Sequence, residues 1–233
     1  MELERKIQNM YWSVNSNLCD MLPGMATRAD VRPNRRGMRS RELVLDAAER
    51  VMAEQGFEAA TLARVVEEAG IPLSSVYHYY GSKDGILLAV MERGAERFFD
   101  DLPIPNRRRG RPATHLATVL STTARTLERH PNFLRLLIVF AVQPPARASG
   151  EIEAVVTRVR RLGLDRLREQ IALAFGDDPD GPVTIRLARI ALAAVDGAFV
   201  ASQADPAVTL EELLEPLVPA VVGARRALLA EAL

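Results

Sequence analysis

Residues 61–90 read TLARVVEEAGIPLSSVYHYYGSKDGILLAV, and the punctuation of this stretch decides the fold. Thr61 stands as an N-cap before LARVVEEA, and Gly70 stops that helix. Pro72 fits the first turn of a second helix that runs to about Tyr80. Gly81 and Ser82 break it, and Ser82 caps a further helix from Lys83 to about Phe99, carrying Ile86, Leu87, Val90 and Met91. Two short helices joined by a tight Gly turn form a helix-turn-helix. In that motif the second helix presents its N-terminal residues to base edges in the DNA major groove, while the first crosses the backbone. Leu73, Ser74 and Ser75 are the exposed candidates there, small and polar enough to approach, and Val76 is placed to face inward.

The same stretch holds Tyr77, Tyr79 and Tyr80, three of the four tyrosines in the chain, which is more phenol than a core or a polar loop selects. A phenol packs its ring against apolar neighbours while its hydroxyl reaches a polar partner. Contacts to phosphate and sugar make up most hydrogen bonds in protein–DNA complexes and fix register. His78 falls on the exposed side and is a further candidate. Lys83 sits in a helix's first turn, where a cation opposes the macrodipole at a cost of roughly 0.3–1 kcal/mol. A phosphate docked at that helix start would reverse the sign.

Working outward, RELVLDAAERVMAEQ (41–55) places Leu43, Val44, Ala47, Ala48, Val51 and Met52 on one face of a helix that Gly56 ends. Downstream, DLPIPNRRRGRPA (101–113) is a Pro- and Arg-rich break and the expected domain boundary. Helices are expected over 114–128, 131–142, 151–175, 182–202 and 210–232, the last kinked by Pro216 and Pro219. No alternating strand pattern competes, so the chain reads as all-α. TIRLARIALAAVDGAFV (184–200) is apolar nearly all round and must bury a second face. With the final helix from each of two chains, it would close a four-helix interface with twofold symmetry; cover within one chain is the alternative.

The combined pattern of residues 40–92 resembles the DNA-binding domain of the tetracycline-repressor (TetR) family of regulators. The matching pieces are Thr61, Val65–Val66, Ala69–Gly70, Val76–Tyr77, Tyr79–Tyr80, Ser82–Lys83–Asp84 and Leu87, with the GFEAAT exit of the preceding helix. Beyond that the likeness is one of helix layout and length. The resemblance implies that Thr61, Tyr77 and Tyr79 touch phosphate and that Tyr80 packs inside. It also implies a small-molecule effector that binds among the C-terminal helices and shifts two DNA-reading heads apart. Departures stand at Pro72, where the family usually has Ser or Thr, at Ser74, where it often has Gly, and at Tyr80, where it often has Phe.

Charge complicates a DNA partner. Residues 41–90 hold four basic residues against eight acidic ones, awkward for a polyanion. Just upstream, Arg28, Arg32, Arg35, Arg36 and Arg39 face only Asp30, which reads as a mobile basic arm able to track phosphates or enter the minor groove. Arg36, Arg39 and Arg41 are accordingly candidate DNA contacts.

The whole chain of 233 residues carries no formal net charge, so bulk charge names no partner. No run of about 18 apolar residues is present, which excludes a membrane span and favours the cytoplasm. One cysteine, Cys19, and three scattered histidines leave no disulfide, zinc site or metal triad. No nucleophile–base pairing or Gly-rich phosphate loop points to an enzyme, and no cofactor is expected. The expected layout is a poorly ordered basic arm at 1–37, a helix-turn-helix domain with its linking helix at 38–100, and a regulatory and dimerisation domain at 101–233. Phe133, Leu137, Phe140, Asp196 and Phe199 are candidate pocket residues, with core packing as the alternative for the apolar ones and a solvated rim for Asp196. The reading is a homodimeric, ligand-responsive transcriptional regulator, a repressor, binding a near-palindromic double-stranded DNA operator. Its rivals are a helical carrier or enzyme in which 71–83 is a packed corner, and an architectural nucleic-acid binder without a ligand.

Overall fold

The computed structural model describes residues 35–102, 105–108, 110–143 and 150–230. Arg28 and Arg32 of the expected arm lie outside these. Residues 39–233 form one compact unit; of the unit that precedes it, 1–38, only the first helical turn is described. All regular structure among the described residues is helical. The order is α1 (Arg35–Gln55), α2 (Leu62–Ala69), α3 (Leu73–Tyr80), α4 (Lys83–Asp100), α5 (Pro112–Arg129), α6 (Pro131–Val142), α7 (Gly150–Phe175), α8 (Pro182–Ala204), α9 (Leu210–Leu214) and α10 (Leu217–Ala230). The helix α1 begins at Arg35, so 35–37 continue it instead of belonging to an irregular arm.

Local chemistry explains most boundaries. The Thr61 hydroxyl accepts from the Arg64 amide at 3.2 Å and opens α2, and Gly70 closes it at φ 63°, a left-handed conformation that glycine adopts without penalty. The Ser82 hydroxyl accepts from the Gly85 amide at 3.0 Å and opens α4. The long final helix expected from residue 210 is two helices. Thr209 and Glu212 form a capping box on α9, and the break at Glu215–Pro216 starts α10 anew. Proline cannot donate to the preceding turn, so the chain restarts where a kink was expected.

One stripe of α1 is buried: Val44, Leu45, Ala47, Ala48, Val51 and Met52. Leu43, expected inward, is 41% exposed, and Leu45 takes its place. At about 100° per residue, Leu43 falls off the edge of the stripe centred on Val44, Ala48 and Met52. Val65 of α2, Val76 of α3 and Ile86, Leu87, Val90 and Met91 of α4 complete the head's share of the core.

Packing is continuous through the expected boundary because α4 belongs to both sides, contacting α3 as well as α6 and α7. Where α4 meets α6, a Cβ on Gly94 would lie 2.3 Å from the ring of fully buried Phe133. Any larger residue there must displace that ring or the helix that carries it. Helix α8 packs on α7, α9 and α10, burying Leu187, Ala188, Ala191, Val195, Ala198 and Phe199. Its other face leaves Ile190 and Val200 each 51% exposed, with Ala193 and Gly197 between them also open.

Candidate functional site

Helix α3 carries Leu73, Ser74, Tyr77 and His78 on its exposed side, with Ser75 half-buried and Val76 inward. Its first turn has no side-chain cap, because Pro72 occupies the N-cap position. The Ser75 amide donates to the Pro72 carbonyl at 2.9 Å, which leaves the Leu73 and Ser74 amides as the first-turn donors that a helix start offers to an acceptor. Tyr77 is 51% exposed. Among the described residues its side chain has no hydrogen-bonded or ring partner.

The other two tyrosines brace the helix. The Tyr80 hydroxyl donates to the Arg41 carbonyl at 3.1 Å, and burial pushes the phenol up from 10.0 to about 12, with Arg41 and Arg93 pulling the other way. The Arg41 guanidinium lies 5.0 Å from the Tyr79 ring centroid. Tyr79 in turn meets the His78 ring at 5.6 Å and the Tyr80 ring at 6.2 Å. Arg41 and Arg39 are exposed, so the end of α1 nearest α3 offers cations beside this aromatic edge. Arg36 is described only as backbone of α1.

Lys83 is placed differently from the expectation. Its ammonium donates to the carbonyls of Phe57 at 2.7 Å, Ala60 at 3.0 Å and Glu58 at 3.3 Å, and lies 4.2 Å from the Phe57 ring centroid. All three donors are therefore spent inward, on the loop between α1 and α2. Those carbonyls offset the unfavourable macrodipole, so no docked phosphate is needed to justify a lysine here.

Five of the eight acids of residues 41–90 are held in ion pairs. Glu42, Asp46 and Glu49 converge on Arg93 of α4 at 3.1, 2.7 and 2.9 Å, and Arg97 joins Glu42 at 2.6 Å. Glu68 pairs with Arg50 and Glu67 with Arg64. These five carboxylates share four arginines, and α3 itself contributes no acid.

A second feature lies among α4–α8. A cavity of about 100 Å³ is lined mainly by apolar side chains, among them Phe98, Phe99, Leu127, Leu137 and Leu192. Of the expected pocket residues, Leu137 and Asp196 line it. Phe133, Phe140 and Phe199 are buried core instead; aromatic bulk at those positions fills space between helices and leaves no room for a ligand. Asp196 is neither free nor a solvated rim acid. Arg160 donates to its two oxygens at 2.7 and 2.6 Å, and this bond holds the Arg160 guanidinium above its ordinary range despite burial.

Residues 44–90, the span that builds α2, α3 and their packing partners, match the family model described as bacterial regulatory proteins, tetR family. That span is a DNA-binding domain of the tetR family of bacterial regulatory proteins. Among curated relatives, the HTH-type transcriptional regulator BetI of Rhizobium meliloti (strain 1021) is 27% identical over 161 residues, 69% of this chain and 76% of that protein. BetI of Brucella abortus (strain 2308) is 26% identical over 163 residues, 70% and 79% of the two chains. In structure, a transcriptional regulator from Rhodococcus sp. Rha1 superposes with a TM-score of 0.63 at 23% identity, covering 79% of this chain and 96% of that one. The MbdR regulator from Azoarcus sp. CIB gives 0.64 at 21% identity, covering 78% and 96%. FadR from Bacillus subtilis, solved with stearoyl-CoA, gives 0.58 at 18% identity, covering 78% and 98%. At these identities the structural likeness shows the shared fold.

Sequence reading passed over Arg93, Arg160 and Arg166. Nothing in their local pattern separates them from solvated helix arginines. Their partners lie 44–51 residues away for Arg93 and 36 for Arg160, and Arg166 stacks on Phe99 of another helix.

Proposed function

We propose that this regulator binds a near-palindromic DNA operator as a homodimer, with α3 in the major groove, and that a small molecule entering the α4–α8 cavity releases it. One observation carries the DNA reading. The outer side of α3, from Leu73 through Ser74, Tyr77 and His78, is exposed and makes no ion pair among the described residues, while the residues behind it are braced by Tyr80 and Lys83. Leu73 and Ser74, with Ser75 beside them, approach base edges. Thr61, Tyr77 and Tyr79 meet phosphates, and Arg39 and Arg41 add cations. The open apolar face of α8, with Ile190, Gly197 and Val200, is the surface that a second copy covers. Twofold symmetry then sets two α3 helices about 34–36 Å apart, or a multiple of that.

The test is selection of genomic fragments by the purified full-length protein, followed by sequencing. Enrichment of one inverted-repeat site, lost with Tyr77→Phe in a protein of unchanged helix content, is the expected result. A carrier or enzyme would enrich nothing, and an architectural binder would enrich without a shared symmetric site. Removal of residues 1–34 is expected to weaken binding and flatten the dependence of log affinity on log salt, because it deletes phosphate-neutralising arginines.

A further inference from the structure

The α4–α8 cavity has a charge pattern that the fold does not require. Its polar wall groups are Thr123, Arg160, Arg166, Gln170 and Asp196. The Thr123 hydroxyl donates to the Val119 carbonyl at 2.9 Å. Gln170 is buried; its amide nitrogen donates to the Pro105 carbonyl at 3.1 Å and its oxygen meets His115 Nε2 at 3.1 Å. Arg160 and Asp196 cancel each other through two parallel bonds. That leaves Arg166.

The Arg166 guanidinium carbon lies over the Phe99 ring, 4.7 Å from its centroid. Among the described residues it makes no hydrogen bond and no ion pair. Asp100 and Glu169 act on it only through space, and half-burial holds its pKa below the ordinary value. A guanidinium on an aromatic plane keeps its in-plane N–H fork unused, and that fork matches the two oxygens of a carboxylate. The described wall therefore carries one guanidinium with no hydrogen-bonded acid, beside a mainly apolar surface.

Resting on the effector reading above, we propose that the cavity takes a small apolar monocarboxylate, with its carboxylate on the Arg166 fork and its ring or short chain among Phe98, Leu127, Leu137 and Leu192. An amine would meet like charge. An uncharged apolar molecule would strip water from Arg166 without replacing it. At about 100 Å³, the cavity is smaller than an engineered cavity of roughly 150 Å³ known to hold benzene, which favours a short chain and makes a single ring the upper limit. The site also touches the right helix. Phe98 and Phe99 follow Arg93 and Arg97 on α4, so a ligand wedged between Arg166 and Phe99 presses on the element that grips the DNA-reading head through Glu42, Asp46 and Glu49.

The experiment uses the full-length protein and two acid–amide pairs, phenylacetate with phenylacetamide and hexanoate with hexanamide, measured by calorimetry. At least one acid is expected to bind at least tenfold more tightly than its amide. Arg166→Met is expected to bring that ratio near one with little change in thermal melting, since among the described residues Arg166 has no ion-pair partner to lose and methionine can still pack on Phe99, and Arg166→Lys to keep part of the preference. An amide that binds as well as its acid would overturn the carboxylate assignment and leave the cavity as an effector site. Failure of all four probes to bind would overturn both. An acid preference that survives Arg166→Met would place the anion elsewhere and also overturn the assignment.

Discussion

The Arg93 guanidinium of α4 donates to the Asp46 carboxylate of α1 at 2.7 Å, with the Arg93 side chain only 9% exposed. Glu42 and Glu49 share the same cation. One arginine thus holds three acids of α1 against the helix that also walls the cavity.

Replacing it tests that grip. Arg93→Met keeps most of the stem's packing but leaves three carboxylates facing one another. A loss of about 2–4 kcal/mol is expected, toward the lower end of buried-pair losses because the acids reach solvent. Urea unfolding followed by helical signal measures it, and added salt is expected to restore part of the loss. An unchanged midpoint would show that Arg97 alone suffices.

Lys83→Met separates a structural lysine from a phosphate contact. Methionine cannot donate to the Phe57, Glu58 and Ala60 carbonyls, so a destabilisation of about 1–3 kcal/mol is expected. Operator affinity of the folded fraction is expected to stay nearly constant. Lost affinity with an unmoved melting curve would return Lys83 to the DNA surface.

Tyr80 predicts an alkaline limit. Its phenol titrates at about 12 when folded against 10.0 ordinarily. The unfolded chain therefore ionises first as pH rises. The stabilisation is fully present below about pH 10 and is lost as pH climbs through about 12. Tyr80→Phe is expected to cost about 0.5–1.5 kcal/mol at neutral pH, for the bond to the Arg41 carbonyl, and to flatten the decline between those pH values. Denaturant titrations at stepped pH supply both readings.

The open face of α8 predicts a dimer that one charge can dissociate. A Cβ on Gly197 meets nothing within 4 Å, so Gly197→Arg fits a single chain without a clash, and its better helix propensity favours the monomer fold. Sedimentation is expected to show dimer for the native protein and monomer for Gly197→Arg, with weakened operator binding. A variant that remains dimeric would remove this face from the interface.

The helices and their ends were legible because their causes are local. Thr61, Gly70, Ser82 and Pro131 act within a turn of their own positions, and α2 and α6 lie where capping and periodicity place them. The helix-turn-helix was equally legible, since Gly70, Val76 and the apolar run of α4 are written within one short span. Leu43 misled because a stripe's edge depends on which neighbour covers it. The break at Pro216 exceeded a kink because Thr209 and Glu212 complete their own cap and let α9 end early.

Sequence alone determined a helical architecture with a helix-turn-helix corner at residues 61–83, through hydrogen bonds and steric limits that act between near neighbours. Tertiary structure alone decided where the charged side chains spend their bonds. Lys83 turns to carbonyls 23–26 residues upstream, Asp196 to Arg160 on α7, Arg93 to the acids of α1, and Arg166 to the ring of Phe99. Such partners are chosen by which helix faces meet, and a long flexible side chain records none of that in its own stretch of sequence.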